Sequence, residues 1–107
     1  MNHHSDTLIQ KWPQLTLAEQ LGNVGSEVSR MINWRNKDRA IAERAFERML
    51  ELIDLTLQNQ TSGPRLREIA RARELLVSNW LASNKSADAD LVSLNRYFFQ
   101  FALLAHR

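Results

Sequence analysis

Cysteine is absent from this 107-residue sequence. Disulfide bonds, thiolate catalysis and cysteine-ligated zinc are therefore excluded. Histidine occurs only near the two ends, at His3, His4 and His106. The middle of the chain therefore offers neither a histidine base for a Ser-His-Asp triad nor the Glu-x-x-His pattern of di-iron bundles. We expect no metal site and no cofactor.

Residues that interrupt helices are also scarce, with three glycines and two prolines. The charge is nearly balanced, because 14 basic and 12 acidic side chains leave a formal charge of +2. That excess is too small to require nucleic acid or an acidic membrane as partner. Apolar runs such as residues 101–105 are too short to span a bilayer, and the first residues lack the apolar segment of a signal peptide. We expect a cytoplasmic protein without a membrane partner.

A capping box marks the start of the first predicted helix. Thr16 is the cap and Glu19 lies three residues later, a spacing that lets each side chain accept a hydrogen bond from the other residue's backbone. The apolar positions that follow repeat every three or four residues, as in an amphipathic helix, up to about Trp34. Residues 1–14 are predicted to form an N-terminal arm with a short helical turn that starts after Ser5 or Asp6 and ends at Pro13.

Each of the other three predicted helices begins at a residue type suited to a helix start. Their predicted limits are Asn36 or Asp38 to Leu57, Pro64 to Ala82, and Asp88 or Asp90 to the C-terminus. Four helices of this length, joined by short loops, predict an all-α protein with a single domain, 1–107. The expected architecture is an up-down-up-down four-helix bundle.

Arg73 lies on the apolar face of the third predicted helix, in line with Leu66 and Trp80. One interpretation is a long side chain that reaches water from the edge of that face. The other is a buried or half-buried guanidinium, which would need a carboxylate. In an up-down bundle Glu27 and Tyr97 lie at a similar height, so we expect Glu27, Arg73 and Tyr97 to form a polar cluster or a ligand site in the middle of the bundle.

Small residues form a stripe along the first predicted helix, at Ala18, Gly22, Gly25 and Ser29. Each glycine inside a helix costs about 1 kcal/mol relative to alanine. The stripe therefore predicts a close approach by something else. A neighbouring helix of the same fold, a helix of a second subunit, or a ligand that contacts the bare backbone would each explain it.

A tryptophan and four cations surround the predicted turn between the first two helices. They are Arg30, Trp34, Arg35, Lys37 and Arg39. A tryptophan can stack on a base while the cations meet phosphates, which is one mode of binding single-stranded nucleic acid. An ordinary solvated turn with a packed tryptophan is the alternative.

The fourth predicted helix is apolar on more than one side. Outside its core-facing stripe, Val92, Phe99 and Leu103 form a second apolar row. A terminal helix of a four-helix bundle should present one polar face to water. We therefore expect this row to be buried in a homodimer with two-fold symmetry.

Three stretches carry a family resemblance: GSEVSR at 25–30 with the following Trp34, AFER at 45–48 and LIDLT at 52–56. They resemble a family of uncharacterised prokaryotic helical proteins, similar in outline to the HEPN and nucleotidyltransferase-associated bundles. The resemblance implies a dimeric bundle that works beside a nucleotidyltransferase or acts on RNA. The ribonuclease members carry an arginine ahead of a histidine on a late helix, and positions 99–101, which precede His106, hold no arginine.

The leading expectation is thus a non-enzymatic helical binding or adaptor module that forms a homodimer. One alternative is an RNA-directed or nucleotidyltransferase-associated bundle that uses Arg30, Trp34, Lys37 and Arg73. The other is a small-ligand pocket around the predicted mid-bundle cluster.

Overall fold

A computed structural model describes residues 9–60, 63–82 and 84–106 of the chain. These ranges are helical throughout apart from short connections, and they contain no strand. The elements are a 3-10 helix at Trp12–Gln14, α1 at Leu17–Trp34, α2 at Arg39–Gln58, α3 at Pro64–Ala82 and α4 at Lys85–Ala105. The predicted start of the N-terminal turn, at Ser5 or Asp6, lies outside the described residues.

The capping patterns locate the starts of α1 and α2. The Thr16 hydroxyl oxygen accepts a hydrogen bond from the Glu19 amide at 3.1 Å, and Glu19 Oε1 accepts one from the Thr16 amide at 2.8 Å. This confirms the predicted capping box. Of the two predicted caps of α2, Asp38 rather than Asn36 fills the role, since its Oδ1 accepts from the Ala40 amide at 3.1 Å.

The predicted start of α4 at Asp88 or Asp90 is wrong. The helix begins at Lys85, and its cap is Asn84, whose Oδ1 accepts a hydrogen bond from the Ala87 amide at 2.8 Å. Asparagine caps a helix as well as aspartate does, so the earlier candidate takes the position. Asp88 then falls in the first turn, where its negative charge interacts favourably with the helix dipole.

The core lies between the four long helices, and α1 contributes its central apolar stripe. Leu21, Val24, Val28 and Met31 are fully buried on α1. The helix packs most extensively against α2 and α4, while α3 contacts α2 and α4 on the other side of the core. The residues on the two flanks of α1 therefore determine how closely α2 and α4 can approach it.

Trp12 extends the core beyond the four long helices. Its indole is buried, and Nε1 donates a hydrogen bond to the Thr56 hydroxyl on α2 at 2.9 Å. Gln20 Nε2 on α1 donates to the Trp12 carbonyl oxygen at 2.8 Å. The described end of the predicted arm is therefore bound to both α1 and α2.

The small-residue stripe of α1 faces α4. A Cβ atom added at Gly25 would lie 2.8 Å from Phe98 Cβ, and one added at Gly22 would lie 3.2 Å from Ala102 Cα. Real Cβ contacts are longer than the first distance and rarely as short as the second. The approach that the glycines permit is therefore made by a helix of the same chain.

The stripe continues one turn further along α1 as a polar contact. Ser29 Oγ donates a hydrogen bond to Asn95 Oδ1 on α4 at 2.8 Å. At its other end Ala18 is half-buried. Residue numbers rise along α1 while those of the partners on α4 fall, so the two helices run in opposite directions at this contact.

Replacement of Gly25 by alanine should lower the free energy of unfolding. Overpacking costs about 1–3 kcal/mol, and the better helix propensity of alanine returns about 1 kcal/mol. We expect a net loss of up to about 2 kcal/mol for Gly25→Ala and a smaller one for Gly22→Ala, measured by urea denaturation. Asn33→Ala, at an exposed position of the same helix, is the control. Equal stability of Gly25→Ala and the control would contradict the close contact.

The capping box should make the stability of the domain depend on acid pH. Hydrogen bonds from the Thr16 backbone and side chain hold the pKa of Glu19 below its ordinary value of 4.5. A carboxyl with a lowered pKa in the folded state stabilises above its unfolded pKa, and that contribution is lost as the pH falls through the folded pKa. The melting temperature of the unaltered protein should therefore exceed that of Glu19→Gln at pH 7. The difference should shrink below about pH 4.5, and a pH-independent difference would refute this account.

Candidate functional site

The predicted mid-bundle cluster of Glu27, Arg73 and Tyr97 is not formed. Arg73 Nε instead donates to Asp54 Oδ1 at 2.6 Å, and its Nη2 lies 3.4 Å from Oδ2. Both side chains are partly exposed, and the pair joins α3 to α2. Arg73 is therefore a half-buried guanidinium with a carboxylate partner, but that partner is Asp54 and not the predicted Glu27.

Glu27 and Tyr97 lie in two different grooves. Glu27 faces α2, and its Oε1 is 3.2 Å from Arg30 Nη1. The Tyr97 hydroxyl donates a hydrogen bond to Glu68 Oε1 across the α3–α4 groove. Burial and the bond to Glu68 raise the pKa of Tyr97 above its ordinary value of 10. Similar height along the bundle did not place the three side chains on a common face.

The α3–α4 groove has a volume of about 390 Å³ and an apolar wall built from Ala72, Leu75 and Leu94. Tyr97 contributes to this wall, but Glu27 and Arg73 do not line the groove. The predicted small-ligand pocket was to be lined by Glu27, Arg73 and Tyr97. Of these three residues, Tyr97 alone lines the α3–α4 groove.

Arg35 was predicted as a nucleic-acid contact, and its position contradicts that role. The residue is 8% exposed. Its Nη2 donates to the Trp80 carbonyl oxygen at 3.0 Å, and its Nη1 lies 3.2 Å from Asp88 Oδ1. The end of α1 is thereby joined to the last turn of α3 and to the first turn of α4. The guanidinium also satisfies a carbonyl that has no partner within its own helix.

Trp80 is enclosed by aromatic and cationic groups at this end of the molecule. Its ring stacks on Phe46 with a centroid distance of 5.5 Å and an interplanar angle of 16°. The guanidinium carbons of Arg35 and Arg39 lie 4.8 and 4.7 Å from the Trp80 ring. Arg39 also pairs with Glu43 at 3.0 Å. The two arginines therefore hold the bundle end together through a buried tryptophan, a contact between distant helices that no local sequence pattern predicts.

The remaining members of the predicted cationic turn are at the surface. Trp34 is 39% exposed, Lys37 is exposed, and Arg30 is exposed while it pairs with Glu27. The surface available to a nucleic acid at this turn is therefore smaller than the five predicted residues suggest.

The predicted apolar row of α4 is exposed in the single chain. Val92, Phe99 and Leu103 are 39%, 59% and 57% exposed. Phe99 forms one wall of a groove of about 340 Å³ between α1 and α4, which we call the α1–α4 groove. The rest of its lining is Phe98 together with six small or polar residues: Gly22, Gly25, Ser26, Ser29, Asn95 and Ala102.

A cleft of about 360 Å³ separates α1 from α2 on another side of the molecule. We call it the α1–α2 cleft. Its lining combines one carboxylate, three guanidinium groups and two apolar side chains: Glu27, Arg30, Ile41, Arg44, Ala45 and Arg48. Arg44 and Arg48 were not among the predicted site residues, because only the packing of α2 on α1 brings them next to Arg30.

Within the described ranges, no helix has the length and apolar character that crossing a membrane requires. The same residues contain no group of three or more side chains arranged to hold a metal ion. No family model, curated protein or solved structure matches the chain. The resemblance to HEPN-like bundles therefore stays a prediction.

Replacement of Arg35 should cost far more stability than replacement of its acidic partner. Arg35→Ala leaves the Trp80 carbonyl without a partner and removes the packing of a buried side chain, a loss of about 2–4 kcal/mol. Asp88→Asn keeps an oxygen that can accept from the guanidinium, and the side chain it replaces is half-exposed, so we expect a loss below about 1 kcal/mol. Chemical denaturation of both variants measures the difference. Equal losses would show that Arg35 acts only through its ion pair.

Proposed function

We propose that this protein is a small non-enzymatic binding module that self-associates as a homodimer through the α1–α4 face. The observation that carries the proposal is the exposed row of Val92, Phe99 and Leu103, of which Phe99 also lines the α1–α4 groove. Large apolar side chains that lie together at the surface are typical of a protein interface.

The shape of this face suits a second copy of the same surface. Phe99 projects from α4, and the adjacent groove has an α1 wall of glycine and serine residues. A two-fold interface uses the same patch on both subunits, so a projection must meet a hollow of the same patch. Phe99 of each copy would enter the groove of the other.

The chemistry of the groove also favours burial against a protein surface. None of the described residues that line it is ionisable, so burial of the groove itself would desolvate no charge. Ser26 and Ser29 already use their hydroxyls in hydrogen bonds to the Gly22 carbonyl and to Asn95. The principal gain would be the burial of apolar surface.

We infer an up-down-up-down order of the four long helices, in which α1 and α4 are neighbours. The inference is supported by the Arg35 contacts, which join the end of α1 to the end of α3 and to the start of α4. The pairs Ser29–Asn95 and Gly25–Phe98 also step in opposite directions along α1 and α4. In this arrangement the dimer surface would consist of the first and last helices of the bundle.

The resemblance to nucleotidyltransferase-associated bundles is compatible with this proposal, since those proteins also associate as dimers. As a further part of the proposal, a nucleotidyltransferase would bind the assembled dimer. The RNA-directed alternative would rely on Arg30, Trp34 and Lys37, because Arg35 is buried and Arg73 pairs with Asp54.

Two neighbouring leucines of α4 provide a matched test of the dimer. Leu103 belongs to the exposed row, whereas Leu104 is similarly exposed, at 50%, but points to another side of the helix. Burial of a leucine side chain contributes about 1.5–3 kcal/mol, so Leu103→Ser should raise the dimer dissociation constant about tenfold or more. Phe99→Ser should act in the same direction, and Leu104→Ser should leave the constant unchanged.

Analytical ultracentrifugation over a range of protein concentrations measures these constants, and circular dichroism checks that each variant is folded. A monomer at all concentrations up to about 100 μM, where association weaker than about −5.5 kcal/mol is not detected, would refute the proposal. A dimer that is weakened by Leu104→Ser but not by Leu103→Ser would place the interface elsewhere.

A further inference from the structure

The α1–α2 cleft concentrates positive charge that the fold does not neutralise. Arg30, Arg44 and Arg48 contribute three positive charges to its lining, and Glu27 contributes the one negative charge. The chain as a whole has a formal charge of +2. The cleft is therefore a local excess of cations in a molecule whose charges are nearly balanced.

The single carboxylate of the cleft is already paired. Glu27 is 9% exposed, and its Oε1 lies 3.2 Å from Arg30 Nη1. That oxygen receives no aligned hydrogen bond from the described residues. Arg30 keeps more than half of its side chain exposed. Glu27 thus anchors Arg30 at the rim of the cleft and leaves the other two guanidinium groups uncompensated.

Arg44 and Arg48 have no carboxylate partner among the described residues. Other arginines do pair there, for example Arg39 with Glu43, but no ion pair of the described ranges includes Arg44 or Arg48. They lie four residues apart, on the same face of α2, where two like charges repel each other. Glu47 and Glu51 are close in sequence but do not line the cleft.

We propose that the α1–α2 cleft binds a compact phosphate-bearing ligand. Guanidinium groups match the oxygens of a phosphate through paired hydrogen bonds, and they are the preferred side chains for this recognition. Two uncompensated arginines, with Arg30 at the rim, suit a di- or polyanionic group, and Ile41 and Ala45 offer an apolar wall to the rest of the ligand.

A small ligand fits the cleft better than a strand of RNA. A site for single-stranded nucleic acid combines cations with exposed aromatic rings on which the bases stack. Among the described residues no aromatic side chain lines the α1–α2 cleft, and Trp34 lies outside it. The volume of about 360 Å³ suits a small phosphorylated molecule.

Inorganic pyrophosphate is the probe that tests this site, with binding measured by isothermal titration calorimetry at low ionic strength. We expect saturable binding, which Arg44→Gln and Arg48→Gln each weaken about tenfold or more, because each removes a charged hydrogen-bond donor. Arg67→Gln is the matched control. Arg67 is exposed, lies on α3 outside the cleft and has no ion pair among the described residues, so its loss should leave the affinity unchanged.

Several outcomes would overturn the proposal. Absence of saturable binding at millimolar pyrophosphate would do so, and so would an equal loss of affinity in Arg67→Gln, which would indicate attraction to net charge alone. A short single-stranded RNA that binds more tightly than pyrophosphate, and whose binding Arg44→Gln and Arg48→Gln weaken equally, would make a polyanion the ligand of the cleft.

Two further measurements separate a binding role from a structural one. Without ligand, Arg44→Gln and Arg48→Gln should melt at the same temperature as the unaltered protein or higher, since each relieves repulsion between like charges. A marked fall would mean that the arginines hold the fold. Phe99→Ser should leave pyrophosphate binding unchanged, so failure of the dimer and failure of this site are distinguishable.

Discussion

The contact between α1 and α4 at Gly25 leaves no room for a side chain, and the arrangement of the other helices depends on it. Because Phe98 lies against the bare backbone, α4 is close enough for Ser29 to bond Asn95 one turn further on. The opposite flank of α1 is then free to pack on α2. A wider separation would remove the hydrogen bond and open the core around Val24 and Val28.

Charged side chains join the helices at their edges rather than in the core. Arg35 joins α1 to α3 and α4, and the Arg73–Asp54 pair joins α3 to α2. Each pair keeps at least one partner in contact with water, which limits the cost of desolvation. Arg44 and Arg48 of the α1–α2 cleft differ from these arginines, because neither forms an ion pair with a carboxylate of the described residues.

Local features of the fold could be predicted from the sequence, because they depend on neighbouring residues. The capping box at Thr16 and the start of α3 at Pro64 are of this kind. Asn84 was missed as a cap although asparagine is a preferred residue there, because the small polar residues around it resembled a loop. The close approach at Gly22 and Gly25 could be predicted, but the identity of the approaching helix could not.

The candidate sites were harder to predict, because they depend on the rotation of each helix about its axis. Height along a bundle follows from the rise per residue, but a rotation of 100° per residue decides which groove a side chain enters. Glu27 and Tyr97 share a height and face different neighbours. Arg44 and Arg30 line the same cleft, and this too was not predicted, because the rotation of α2 about its axis could not be read from its sequence alone.

Because α1 packs against α4, the first long helix of the chain is covered by the last one to be synthesised. Synthesis adds residues from the N-terminus at about 5–20 per second, so α1 leaves the ribosome several seconds before α4. Until residues 85–105 have emerged, the glycine face of α1 and the side of Val24 beneath it have no covering helix. The packing around α1 can therefore be completed only after α4 has been synthesised.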